Sequence, residues 1–316
     1  SSETIFKVNS RSRNFQFWDF KLRLNTKIMA KIIPFKAVRP TRDKVSLVAA
    51  RSYQSYTKEQ LESRLRDNPF SFLQIVNPGY RYDKEISGEA RYNLVRNRYL
   101  EFKEDDIFVQ DNTACFYVYK IVDRDKQEFN GIVAAASAED YEKDIIKKHE
   151  DTIEYREIIF KEYLKTVGFN AEPVLLTYPD NNIIAKIIEN TQKHRAEFEF
   201  TTTYRDTHYL WKVEDKKTIA TISAEFEKMK TIYIADGHHR SASSYLLYKD
   251  LKDANPDHHG DENYNFFMSY LLPESDLRIH EFNRIVKDLN GLSKEEFLIQ
   301  LDTIYRIENR GLHPYK

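Results

Sequence analysis

Six consecutive residues, Ala235-Asp-Gly-His-His-Arg240, hold four side chains able to move protons or to bind metals and anions. They stand between an apolar β-branched run, Thr231-Ile-Tyr-Ile234, and a helix-like stretch from Ser241 to Lys249. A strand-to-helix corner of this kind suits anion chemistry. Gly237 permits a positive φ and lets a ligand approach the backbone, and a helix beginning there points free N–H groups and the positive end of its dipole at that ligand. Arg240 adds a fork matched to phosphate or carboxylate. His238 and His239 supply imidazoles, which carry protons and ligate metals under physiological conditions. Asp236 can hold a metal-bound water, orient a histidine or accept a hydroxyl proton. Taken singly, these residues also have ordinary structural roles: a helix cap for Asp236, a core position for one histidine, a surface ion pair for Arg240. Anion binding is the reading that uses all of them together.

A second constellation, Lys147-Lys-His-Glu-Asp-Thr152, places His149 beside Glu150 where a helix expected over Glu139 to His149 gives way to a polar segment. Neighbours on a continuing helix point about 100° apart, so both reach one ligand only if the helix ends or distorts there. With Asp236, His238 and His239 they raise a metal site as a possibility, since neutral imidazoles and carboxylates suit zinc, manganese or iron. No spacing matches a helical H-E-x-x-H or a zinc knuckle. No metal is therefore assigned; His149 and His238 are the candidate ligands, and a magnesium ion arriving with a phosphate is the other option. The chain has only eight glycines and neither G-x-x-x-x-G-K-[ST] nor G-x-G-x-x-G after a strand, so the familiar nucleotide cradles are absent. A G-x-S-x-G nucleophile elbow is absent too.

The elements that must position these residues alternate between strand and helix without a strict βαβ period, which predicts an α+β or mixed α/β fold. Thr57 and Gln60 form a capping box for a helix to Arg66. Tyr92, Val95, Tyr99 and Phe102 make an apolar stripe on a helix over Glu89 to Phe102. Cys115 to Val122 and Gly131 to Ala136 predict a strand pair, and Pro173 to Tyr178 a buried strand. A helix over Ile183 to Lys193 leads to antiparallel strands, Glu197 to Thr203 and His208 to Val213. A helix over Ala220 to Lys230 then enters the hexapeptide. Beyond it lie an acidic loop, Asp253 to Asn263, with the composition of a solvated turn or a lid, and a central strand, Tyr264 to Leu272. His280-Glu-Phe-Asn-Arg284 precedes a helix-loop-helix over Ile285 to Leu301, and Tyr305 to Glu308 is an apparent strand.

With 316 residues and 41% hydrophobic content, the chain can bury one large core or two. The boundaries expected are a leader over 1–28, an α+β region over 29–180 and another over 181–316 carrying the hexapeptide, with one continuous domain over the last two as the alternative. The leader is basic, six Lys and Arg against Glu3 and Asp19, and Met29-Ala-Lys-Ile-Ile-Pro-Phe resembles a native start. Residues 1–28 are expected to be disordered or an upstream extension, and a C-terminal portion is expected to be missing. Basic and acidic residues number 49 and 50, a net charge of −1, which disfavours a protein built to neutralise nucleic acid. The single cysteine, Cys115, cannot form an intrachain disulfide, and no apolar run marks a signal or membrane span. A cytoplasmic protein without membrane partners is expected.

The chain also resembles the bacterial and archaeal proteins grouped as family 1015 of the domains of unknown function. The likeness runs from about Ile32 to the C-terminus through Pro34-Phe-Lys36, Val48-Ala-Ala50, Asn68-Pro-Phe70, His149-Glu150 with Thr152, Leu210-Trp211, the hexapeptide and Asn283-Arg284. Asp-Gly-His-His-Arg is itself similar to the phosphate-binding motif of the ParB, sulfiredoxin and free-serine-kinase group. That similarity implies a ParB/sulfiredoxin-like phosphate-binding core within a larger mixed sheet. It implies catalytic roles for Asp236, His238, His149 and Glu150, and cofactor contacts from Gly237, His239, Arg240 and Arg51. The cofactor implied is ATP or ADP with magnesium. The activity implied is phosphoryl transfer, in the kinase or phosphatase direction, with a small hydroxyl metabolite, free serine or phosphoserine leading. Two alternatives stand beside it: a ParB-like nucleotide switch or nucleic-acid-associated protein, and a metal-dependent hydrolase. The chain departs from the family pattern at Ser52-Tyr53-Gln54, where relatives carry Pro-Tyr-Asp, and at Ile159-Phe160, where they place Asp-Arg. Arg51 and Arg156 lie close enough in sequence to compensate.

Overall fold

The computed structural model describes residues 29–82, 86–279 and 287–306, apart from the side chains of Gln54, Arg81 and Tyr82. The basic leader, the pair Asn283-Arg284 and Ile307-Glu308 lie outside the described residues. The chain divides into one compact unit ending at Leu277 and a second beginning at Arg278.

In the first unit the strands, in chain order, are β1 (Ile32–Ile33), β2 (Val38–Pro40), β3 (Phe108–Gln110), β4 (Phe116–Val122), β5 (Glu128–Ser137), β6 (Ile146–Lys147), β7 (Val174–Tyr178), β8 (Phe198–Thr201), β9 (Thr207–Val213), β10 (Ile232–Asp236) and β11 (Phe266–Pro273). Its principal helices are α1 (Lys58–Asp67), α2 (Gly88–Glu104), α3 (Ala138–Glu142), α4 (Glu154–Val167), α5 (Asn182–Gln192), α6 (Lys216–Phe226) and α7 (His238–Ala254). The fold is mixed α/β. Its main sheet runs β6-β10-β7-β11-β5-β4-β9-β8, with β1 pairing the end of β5. The pairs β6·β10 and β7·β11 are parallel, and the others along this order are antiparallel. Strands from both sides of residue 180 lie in this one sheet.

The expected strand pair is β4 and β5, paired from Tyr117↔Val133 to Val122↔Glu128. On its other side β5 pairs with β11, and Gly131 meets a close approach there: a Cβ would fall 2.6 Å from the Tyr270 ring and against the Leu271 carbonyl, so only glycine fits. The sheet's own side chains, among them Phe116, Ile132, Leu176, Ile234 and Leu271, form the main core with α5 and α6. A second core gathers the α2 stripe, Val95 and Phe102 with Tyr92 and Tyr99, against Phe108, Val167 and Phe169. The Thr57–Gln60 capping box opens α1 as expected.

Two expectations near the site are corrected. The helix predicted over Glu139 to His149 is only one turn long, α3. Asp144 adopts a positive φ of 56° and ends it, and the next residues form β6 by pairing with Ile232 and Tyr233. Burial of Ile145 and Ile146 beside β10 outweighs the local helical pattern. The second concerns the polar segment after His149: it is short, and α4, over residues for which no element is expected, begins at Glu154. Ile158, Ile159 and Phe160 on it are 40–46% exposed, so no single core stripe marked it in the sequence.

The Asp253–Asn263 loop is pinned internally. Glu262 accepts from the amides of His259 and Gly260 and from Asn265; despite burial, these bonds hold its carboxyl down at about 2. Among the described residues of the second unit, 287–293 are irregular, so the first helix of the expected pair does not extend into them. Helix α8 (Lys294–Asp302) follows, opened by a Ser293–Glu296 capping box. Tyr305 and Arg306 are not strand.

Candidate functional site

Strands β6 and β10 run parallel, so their carboxyl ends emerge at one edge of the sheet, the usual place for ligands in open α/β sheets. From β6 the chain continues to His149 and Glu150. From β10 it passes through a register irregularity between Ile234 and Asp236, a bulge of the kind that re-aims side chains beside active sites. Gly237 then turns the chain at φ 98° and serves as N-cap of α7. The hexapeptide is therefore not a loop: Asp236 ends the strand, and His238, His239 and Arg240 form the first turn of a 17-residue helix. No side chain caps this end. The first intrahelical bond runs from Ser241 to Gly237, so the amides of His238, His239 and Arg240 precede it and remain available.

Because His149 and Glu150 follow a strand, both reach His238. The His149 and His238 rings meet edge-on with centroids 4.4 Å apart. His238 Nδ1 lies 3.7 Å from Glu150 Oε2, and His149 Nε2 lies 3.8 Å from Glu150 Oε1. The His149 amide points at His238 Nε2 over 3.4 Å, beyond the usual hydrogen-bond range. The His238 ring is buried, and burial followed by the neighbouring His149 pushes its pKa below the usual histidine range, against the pull of Glu150 and Asp236. One ligand atom from each of His149, Glu150 and His238 lies within 4.8 Å of the others, the spacing of a group able to hold a metal ion.

Arg240 is shared by two carboxylates. Its Nη2 donates to Asp236 Oδ2 at 2.6 Å, and its Nη1 lies 2.8 Å from Glu172 Oε2 without hydrogen-bond alignment. His239 turns toward Phe160 on α4, ring centroids 6.4 Å apart, and its Nδ1 is buried without a hydrogen-bond partner among the described residues. These groups open into a cleft of about 670 Å³, which Glu150 and Asp236 to Arg240 line together. Aromatic residues Tyr53, Tyr92, Phe160, Tyr163 and Phe169 also line it.

Arg51 also lines the cleft, but its guanidinium lies 3.2 Å from the centre of the Tyr204 ring and 3.7 Å from Asp206 Oδ2, away from Arg240's partners. Arg156 lines the cleft with no ion pair or side-chain hydrogen bond among the described residues. Where relatives of the resembled family carry Asp-Arg, Ile159 and Phe160 face the cleft with apolar surface. Glu172 and the small polar Ser243 and Ser244 had no signal in the sequence. Glu172 precedes a proline between α4 and β7, and only the fold brings it to Arg240.

Fold and cleft together define a mixed α/β protein with a charged pocket at the carboxyl ends of two parallel strands. A family model described as "Protein of unknown function (DUF1015)" matches residues 32–316, and the chain belongs to that family. Neither a curated protein nor a solved structure matched the chain.

Proposed function

We propose that this cleft binds the phosphates of ATP or ADP, with magnesium, and transfers a phosphoryl group to or from a small hydroxyl metabolite, free serine or phosphoserine being the leading candidate. The observation that carries this reading is the uncapped amino end of α7, opening beside Arg240 into a cleft that also presents Glu150 and Asp236. Free helix-end amides and a guanidinium favour a phosphate. The motif's likeness to the ParB, sulfiredoxin and free-serine-kinase group points the same way.

In the kinase direction the substrate hydroxyl oxygen forms a bond to phosphorus while the bond to the nucleotide's leaving phosphate oxygen breaks. The hydroxyl proton passes to a carboxylate. Glu150 is the better placed base, since Asp236 is held by Arg240 and serves to orient it. The rest of the catalysis is positioning and charge.

The test is a phosphotransfer and phosphate-release screen of the full chain with ATP, ADP, serine and phosphoserine. Glu150→Gln should retain nucleotide binding and lose about 10²-fold or more in rate. Asp236→Asn, by loosening Arg240, should weaken both. If the unmodified chain neither binds nor turns over any nucleotide or phosphoester, the reading fails.

A further inference from the structure

We propose that His149, Glu150 and His238 form a site for one divalent transition-metal ion of the borderline class, such as zinc, manganese or cobalt. This site is separate from any magnesium carried in by a nucleotide.

The donors are two imidazoles and a carboxylate, the set that this class of ion prefers. Bonds of about 2.0–2.1 Å in a tetrahedral shell set neighbouring donors about 3.4 Å apart. The gaps of 3.7 Å and 3.8 Å run from the two different oxygens of Glu150, and one donor atom from each residue lies within 4.8 Å of the others, so exposed Glu150 and His149 must draw in by up to about an ångström and a half to close on an ion. Both gaps are too long for hydrogen bonds, and among the described residues the Glu150 carboxylate and the His149 ring contact no other polar side chain. Three good donors thus converge with no closer partner to satisfy them.

Glu172 and Asp236 are engaged by Arg240, which leaves Glu150 as the carboxylate directed at the His238 imidazole. The fold holds one donor firmly, His238, 6% exposed in the first turn of α7, while His149 and Glu150 follow a strand paired to β10 and stay exposed enough to adjust. Ligation through His238 Nδ1 moves that ring's proton to Nε2, at the cost of the weak 3.4 Å contact from the His149 amide. Three protein donors leave a coordination position for water or a substrate oxygen, the arrangement of catalytic sites. Glu150 and His238 line the cleft, so that position faces it. With the ion held through one Glu150 oxygen, the other oxygen stays free to take the hydroxyl proton; a role for the ion in polarising a phosphoryl oxygen rests on the phosphoryl-transfer reading, and the site itself does not.

The experiment strips the full chain with a chelator and titrates it with Co²⁺, reading visible absorption and bound metal by elemental analysis. One ion per chain with intense low-coordinate bands is expected. Glu150→Gln and His149→Ala, at exposed positions that leave folding intact, should each weaken binding by more than the roughly 10–100-fold that losing a supporting partner costs. Glu172→Gln should bind as the unmodified chain does. Absence of binding at micromolar metal, or unchanged binding in both ligand variants, overturns the proposal. ADP is then added to the cobalt-loaded chain. A band shift joins the two readings, whereas silence with intact metal binding keeps the site and overturns its use in phosphoryl transfer.

Discussion

At Asp111, two basic side chains and a phenol converge on one buried carboxylate; at Arg240, one guanidinium is shared by two largely exposed carboxylates. Asp111 accepts from Arg39 Nε and Nη2 at 3.0–3.2 Å and from the Tyr117 hydroxyl at 2.8 Å, and Lys212 Nζ lies 3.1 Å away. Its side chain is 4% exposed, against 70% for Glu172 and 73% for Asp236. The first cluster is saturated, with nothing left over for a ligand. The second keeps open helix-end amides, a buried Nδ1 on His239 without a hydrogen-bond partner among the described residues, and carboxylate–imidazole gaps too long for hydrogen bonds. Similar residue types thus serve opposite ends: full mutual satisfaction fixes a fold, and partial satisfaction leaves room for chemistry.

The comparison breaks most readily at Asp111. Asp111→Ala leaves Arg39 and Lys212 facing an empty buried position and should cost about 3–5 kcal/mol, read from the denaturant midpoint. Burial alone would raise the Asp111 pKa, but Arg39, Tyr117 and Lys212 hold it below the ordinary Asp range. The folded carboxyl therefore titrates lower than the unfolded one. Its stabilisation is complete above the ordinary range and is lost as pH falls through the folded value, so the variant should show a flatter acid limb below about pH 4. A loss under about 1 kcal/mol would erase the distinction between the clusters.

Asp140 sits between these extremes, a buried carboxyl whose one hydrogen-bond partner among the described residues is the Lys31 amide at 2.6 Å. Burial, only partly offset by that bond, raises its pKa to about 6. Here the sign reverses. Folding favours the protonated form, so the benefit is full below the unfolded value near 4 and disappears as pH rises through about 6. Asp140→Asn should remove this slope and gain on the order of 2–3 kcal/mol relative to the unmodified chain between pH 4 and 7. Melting temperature against pH measures it. An unchanged slope would place the titration elsewhere.

Much of this was legible in the sequence wherever the signal was local. The Thr57–Gln60 box, the α2 stripe and the β4–β5 pair are written in adjacent residues and in helical or alternating spacing. The corner at Asp236 to Arg240 was legible for the same reason, because six consecutive residues carry it. What escaped depends on distant partners. Strand β6 is two residues long and exists only because Ile232 and Tyr233 pair with it, so Glu139 to His149 looked like one helix. Helix α4 turns Ile159 and Phe160 to the cleft and joins the second core through Tyr163 and Val167 near its end, which leaves no continuous periodic stripe. Glu172 reaches Arg240 through the loop after α4, and no local pattern announces a cross-fold ion pair.

The smallest effect sharpens the comparison from the other side. If the Arg240 cluster is built for a ligand and not for stability, Glu172→Gln should change the unfolding free energy by no more than about 0.5 kcal/mol. It should nevertheless alter what the cleft accepts. Glu172 stands 2.8 Å from Arg240 Nη1, so an incoming anion must either displace it or approach against its charge. Removing one nearby like charge in a partly screened site is worth about 1 kcal/mol, or roughly a fivefold gain in affinity. Inorganic phosphate binding followed by calorimetry should therefore tighten severalfold in Glu172→Gln and weaken in Arg240→Lys, which loses the planar fork. The gain in Glu172→Gln should shrink with added salt, since the charge removed is an exposed one. Equal phosphate affinity in all three chains would mean that Arg240 with its two carboxylates is a surface ion pair like any other, and that the cleft holds its anion elsewhere.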